Sequence, residues 1–105
     1  MFDMLDSCRF LLDLTKNEHV EKYEEDRVFR SAVERELQII GEAMLQLKTL
    51  DPRTAATFTE SDRIIGFRHV LVHGYHNLDT HLVWLVIKEK LPALRNELES
   101  ALPHG

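Results

Sequence analysis

The chain has 105 residues, is 44% hydrophobic and 30% charged, and carries a formal net charge of −5, which suits one packed core spanning 1–105 and not several domains. Its 4 glycines and 3 prolines leave little room for a turn-rich β fold, and the lone Cys8 excludes a disulfide framework and cysteine-rich zinc modules. The longest apolar run, Leu82 to Ile87, has six residues, far short of the roughly 20 of a membrane span, and Asp3 and Asp6 spoil a signal peptide; a small cytoplasmic globule is expected.

Apolar residues recur at helical spacing almost throughout. Met1, Met4/Leu5, Cys8, Leu11/Leu12 and Thr15 step by three and four and describe one face of a first helix. The stretch from Asn17 to Asp26 holds five carboxylates and reads as a solvated connector with a short helical turn. Phe29, Val33, Leu37, Ile40, Met44 and Leu47 then predict a long helix over 27–50, stopped by Asp51-Pro52, because the residue before proline is driven out of the α region. After a polar connector at 53–60, with Thr59 or Ser61 as candidate N-caps, a further helix is expected over 62–73, ended by Gly74. Asp79 can cap a last helix from Thr80, continued by Leu82, Val83, Val86, Ile87, Leu91, Leu94, Leu98 and Leu102, which Pro92 either kinks or divides into two short helices meeting near Leu91. No strand alternation or repeat interrupts this pattern. An all-α, antiparallel four-helix-type bundle follows, with Trp84 in the core or at a subunit contact and Cys8 on a buried stripe.

Charge is uneven. Residues 1–52 carry 7 Lys/Arg against 12 Asp/Glu, whereas 53–105 carry 6 against 6, and four of the six histidines (His69, His73, His76, His81) lie within 63–90. The segment Arg68-His69-Val70-Leu71-Val72-His73-Gly74-Tyr75-His76 concentrates reactive side chains at a helix end. An arginine offers a permanently charged planar fork that can neutralise a phosphate as charge builds on it. A histidine exchanges protons near neutral pH. RNA brings its own nucleophile, the 2′-hydroxyl, so Arg68 and His73 would suffice for cleavage through a cyclic phosphate with no metal and no cofactor. An Arg-x4-His pair alone is expected by chance about 0.5 times, given 8 arginines and 6 histidines in 105 positions; requiring one of the 2 tyrosines two places later lowers this to about 0.01.

Five residues of ideal helix leave Arg68 and His73 roughly 140° apart around the axis and about 7.5 Å apart along it. Either the last turn opens near Gly74, or two copies of the helix face each other across a two-fold axis and each contributes to a joint cleft. A homodimer is expected on this ground.

The segment RHVLVHGY resembles the Arg-x4-His-x-Tyr signature of the HEPN superfamily, specifically its HepT-like toxin branch, and ERELQIIGEA (34–43), RIIGFRHVLVHGY (63–75) and LVWLVIKEKLPAL (82–94) are similar to that branch in the same order. The resemblance implies a HEPN-like helical homodimer and a metal-independent endoribonuclease, the toxin of a toxin–antitoxin pair whose antitoxin is an MntA-like nucleotidyltransferase. Carried over by position, it implies Arg68 and His73 as the catalytic pair and Tyr75 as the residue AMPylated by the antitoxin. The branch often has asparagine after the arginine; His69 stands there and would keep an accessory substrate contact. RNA, and neither DNA nor a membrane, would be the target.

Two other readings are open. His69, His73 and His76 stand at i, i+4 and i+7, a spacing that can put three imidazoles on one helical side for a metal, although no neighbouring carboxylate or cysteine completes the set and Arg68 adds positive charge. A non-catalytic HEPN-type nucleotide-binding or scaffolding module is the other, since fold does not fix function.

Overall fold

The computed structural model describes residues 2–73 and 79–102. Those residues are helical with short connections, in the order α1 (Phe2–Leu14), α2 (Val20–Glu25), α3 (Arg27–Leu50), α4 (Pro52–Ala56), α5 (Ser61–His73), α6 (Thr80–Leu85), a π-helical turn (Val86–Lys90) and α7 (Leu91–Ala101). The expected all-α class holds; no strand occurs among the described residues.

The long helix α3 is the centre, with α1, α2, α4 and α5 all packed on it. Its start and stop are local chemistry. Asp26 accepts from the Phe29 N–H at 3.1 Å and satisfies one of the orphan donors of the first turn. At the other end Asp51 leaves the helical region and caps α4, taking the Thr54 N–H at 3.2 Å and its hydroxyl at 2.6 Å, with Pro52 at the first turn of α4 where its missing N–H is harmless. The connectors thus hold two short helices: α2 falls where the sequence suggested a short helical turn, and α4 goes beyond it.

The core follows the predicted stripes. Met4, Cys8 and Leu11 of α1, Val33, Ile40 and Met44 of α3, Val83, Ile87, and Leu98 of α7 are essentially inaccessible. Met1 lies outside the described residues, and Leu12, Leu47 and Leu102 are half-buried at the core margin. Trp84 is half-buried and packs its ring 6.3 Å from both Tyr23 and Phe29. Tyr23 donates its hydroxyl to Glu34, so the buried carboxylate of α3 has a partner.

Pro92 distorts its helix by widening it, where a kink or a division was expected. Proline has no N–H for the carbonyl four residues back and its ring crowds that carbonyl. Here the Leu91 N–H donates to the Val86 carbonyl five residues back, which is the π geometry. The chain from Thr80 to Ala101 therefore stays helical through the proline, without dividing into two helices. Asp79 caps its start, accepting from the His81 and Leu82 N–H groups at 3.0 and 3.3 Å. At α5 the capping expectation fails for Thr59, whose hydroxyl donates to Glu97 at 2.8 Å, while Ser61 is already the first helical residue.

Candidate active site

The reactive segment lies on α5, and this helix is held differently from the others. Its N-terminal end is tied down by ion pairs: Lys48 of α3 meets Asp62 at 2.8 Å, and Glu60 meets Lys90 and Arg63, each at 3.4 Å. Lys48 near the end of α3 beside Asp62 near the start of α5 makes the two helices antiparallel. Leu71 is the one fully buried side chain of α5. Ile64, Arg68 and Leu71 fall at i, i+4 and i+7, so the arginine occupies the stripe that faces the bundle.

Arg68 is half-buried and makes no ion pair with a carboxylate among the described residues. The ordinary explanation of a helical arginine, a surface salt bridge, therefore does not apply to it. Its stem passes close to Gly41 of α3, a buried glycine in the middle of the long helix. His69 and His73 are exposed on another side of α5, one turn apart, with ring centroids 4.6 Å from each other and planes tilted by 51°. His73 is the last residue of the helix.

The helix is regular through His73, so no opening of its last turn brings His73 round to Arg68. Within one chain the two expected catalytic groups remain about 140° apart around the axis, with no contact between them. Gly74, Tyr75 and His76 lie outside the described residues, so the expected helix stop, the expected AMP acceptor and the third imidazole of a metal triad are not placed. Among the described residues no group of three or more His, Cys, Asp or Glu side chains is arranged to hold a metal ion.

An apolar cleft of about 230 Å³ separates α5 from α6 and the π turn, lined by Leu37, Ile64, Phe67, Leu82, Leu85 and Val86 among others. Leu82 and Leu85 on one side, and Val70 and Val72 on α5, keep between 40% and 47% of their surface exposed. A second concavity, of about 480 Å³, lies between α1 and the π turn and α7, and gathers Arg9, Lys16, Lys88 and Arg95 around Asp13. These cations come from both ends of the chain, so no sequence window announces them. Much of their charge is already engaged in holding α1: Arg9 and Arg95 share Glu99, and the Lys88 ammonium donates to the Thr15 carbonyl beside the end of α1 and lies over the Trp84 ring.

Cys8 is fully enclosed between helices, and burial pushes its thiol up to about 12, with Arg95 opposing weakly. A thiol held neutral is a packing group and not a nucleophile.

An all-helical domain whose helix α5 carries an arginine without a carboxylate partner among the described residues, and ends in a histidine, is the class of molecule these features define. The model of the family described as ribonuclease HepT-like matches residues 4–101, and the chain belongs to this HepT-like family of the HEPN superfamily. Among curated relatives, a Methanocaldococcus jannaschii protein named as a candidate RNase is 30% identical over 99 residues, covering 94% of this chain and 90% of that one. A second candidate RNase, from Caldanaerobacter subterraneus subsp. tengcongensis, is 29% identical over 99 residues, 94% of this chain and 88% of its own. A Thermococcus cleftensis protein named as an inferred ribonuclease HepT is 29% identical over 101 residues, 92% and 87% of the two chains. No solved structure matches the chain. No helix among the described residues is long and apolar enough to cross a membrane. Family membership supports ribonuclease activity in a toxin-like role.

Proposed function

We propose that this protein is a metal-independent endoribonuclease, the toxin of a toxin–antitoxin pair, in which Arg68 and His73 act together on one phosphodiester across a homodimer cleft. The observation that carries this reading is Arg68 itself. A permanent cation without a carboxylate partner among the described residues, half-withdrawn from water on a HepT-like chain, is poised for an anion that is not part of the protein. In the reaction His73 takes the proton of the RNA 2′-hydroxyl, that oxygen attacks the adjacent phosphorus, and Arg68 neutralises the charge that grows on the phosphate oxygens. The 5′-oxygen leaves with a proton, and a 2′,3′-cyclic phosphate remains.

The dimer supplies what a single regular helix cannot. Two copies of α5 set face to face would place His73 of one chain beside Arg68 of the other, and the exposed Val70, Val72, Leu82 and Leu85 give that contact an apolar surface to bury. His69, with its ring against that of His73, is suited to a further contact with the RNA backbone. Recognition would rest on RNA shape, on the dimer groove or on a particular RNA end. Control follows from the neighbouring Tyr75: a cognate nucleotidyltransferase antitoxin attaches AMP there, and the added phosphate competes with RNA for Arg68.

The test is direct. Arg68→Ala and His73→Ala should each lower RNA cleavage by about 10²- to 10⁴-fold and relieve growth inhibition, with the melting temperature unchanged and EDTA without effect on the wild type. Growth inhibition that survives both substitutions, with no RNA cleavage by the wild type, would favour the non-catalytic binding module. Mass spectrometry after incubation with the antitoxin and ATP should find AMP on the peptide that contains Tyr75.

A further inference from the structure

We propose that Gly41 is a positioning residue for the reaction: its missing side chain sets the depth and rotation at which α5 presents Arg68. This inference rests on the reading of Arg68 as the phosphate-binding arginine.

Glycine is the poorest helix former after proline, and Gly41 sits in the middle of a 24-residue helix. No glycine among the described residues has a positive φ, so backbone conformation does not require it there. Space does. A Cβ added at Gly41 would stand 2.2 Å from the Arg68 Cβ, 2.8 Å from its Cγ and 3.3 Å from the Ile64 carbonyl oxygen. Carbon atoms in contact settle at about 3.5–4.0 Å, so even one methyl group must move α5 by more than about 1 Å. The crowded atoms are the root of the arginine side chain, fixed to the helix backbone, and cannot swing aside as its tip could.

The same contact lies one turn from Ile64 and on the stripe that carries Leu71, so a shift there changes how α5 seats on α3 at Arg68. Gly66 is the internal control. It lies two residues before Arg68 on the same helix, and a Cβ added to it would meet nothing within 4 Å. One glycine of this pair is there for a neighbour, the other is not.

Displacement of about 1 Å at a reacting group costs on the order of 100-fold in rate. Gly41→Ala should therefore lower kcat for RNA cleavage by about that factor while KM moves only a few-fold, and Gly66→Ala should cleave as the wild type does. In the Arg68→Ala background, Gly41→Ala should lower the residual rate no further, because the group it misplaces is already gone. Full kcat in Gly41→Ala, or an equal further loss in the Arg68→Ala background, overturns the proposal. Should Arg68→Ala itself cleave normally, the function fails and not this packing link.

Thermal unfolding covers the cases in which Gly41→Ala does not fold or residual cleavage is too slow to follow. Arg68→Gly removes the two nearest atoms, so the loss of melting temperature caused by Gly41→Ala should shrink in that background, and a chain unfolded by Gly41→Ala alone should fold again in the double variant. Equal losses in both backgrounds, or failure of both to fold, overturn the link.

Discussion

Helices α1 and α5 are both 13 residues long, yet α1 buries five of its side chains and α5 buries one. The first is wedged between α3 and α7, and its cysteine is sealed and neutral. The second lies chiefly on α3, exposes two histidines and keeps a half-buried arginine without a carboxylate partner among the described residues. Burial and reactivity are alternatives for one side chain, because a group enclosed by the core cannot meet a substrate. The bundle of α1, α3 and α7 supplies the stability, and α5 spends some of it on presentation.

The sharpest way to break this contrast is to cut the core. Leu98 is inaccessible in α7, and Leu98→Ala should cost about 2–5 kcal/mol through lost transfer energy and the cavity left behind. Urea unfolding measures it, and a loss below 1 kcal/mol would show that the site collapses freely. Tyr23→Phe comes next. It leaves the buried Glu34 carboxylate without its hydroxyl donor, so a loss of about 1–3 kcal/mol is expected in the same measurement, partly recovered by Glu34→Gln.

Cys8 sharpens the contrast by pH. With its folded thiol raised to about 12, the unfolded chain ionises first as pH climbs past the ordinary thiol range. Stability should therefore fall with rising alkalinity, and Cys8→Ala should lose that dependence. A thiol reagent should stay unreactive with the native chain at pH 8 and react once the chain unfolds. The smallest effect belongs to the tether of α5: the Lys48–Asp62 pair is exposed, and Asp62→Ala should cost less than about 1 kcal/mol, diminishing in high salt.

Much of this architecture was legible in the residues. The limits of α3 agree with the structure because Asp26, Asp51 and Pro52 act on their own neighbours, and the apolar stripes of α1, α3 and α7 were visible because burial repeats with the helical turn. The short helix α4 was not, and α2 showed only as a short turn, since segments of five or six residues do not hold themselves helical and borrow their order from packing. Arg68 was singled out, but its place on the inward stripe was hidden, because a charge is normally read as facing water. Gly41 gave no local sign at all: its meaning lies 27 positions away, at the side chain it makes room for. The cations around Asp13 were unreadable for the same reason, being joined only when the two ends of the chain meet.

The one-sided support of α5 has a dynamic consequence. A segment leaning mainly on a single neighbour can detach as its own cooperative unit, well below the free energy of global unfolding. Its amide hydrogens should accordingly trade for deuterium sooner than those of α3, and any molecule that settles on the outer side of α5 should announce itself first as slower exchange there.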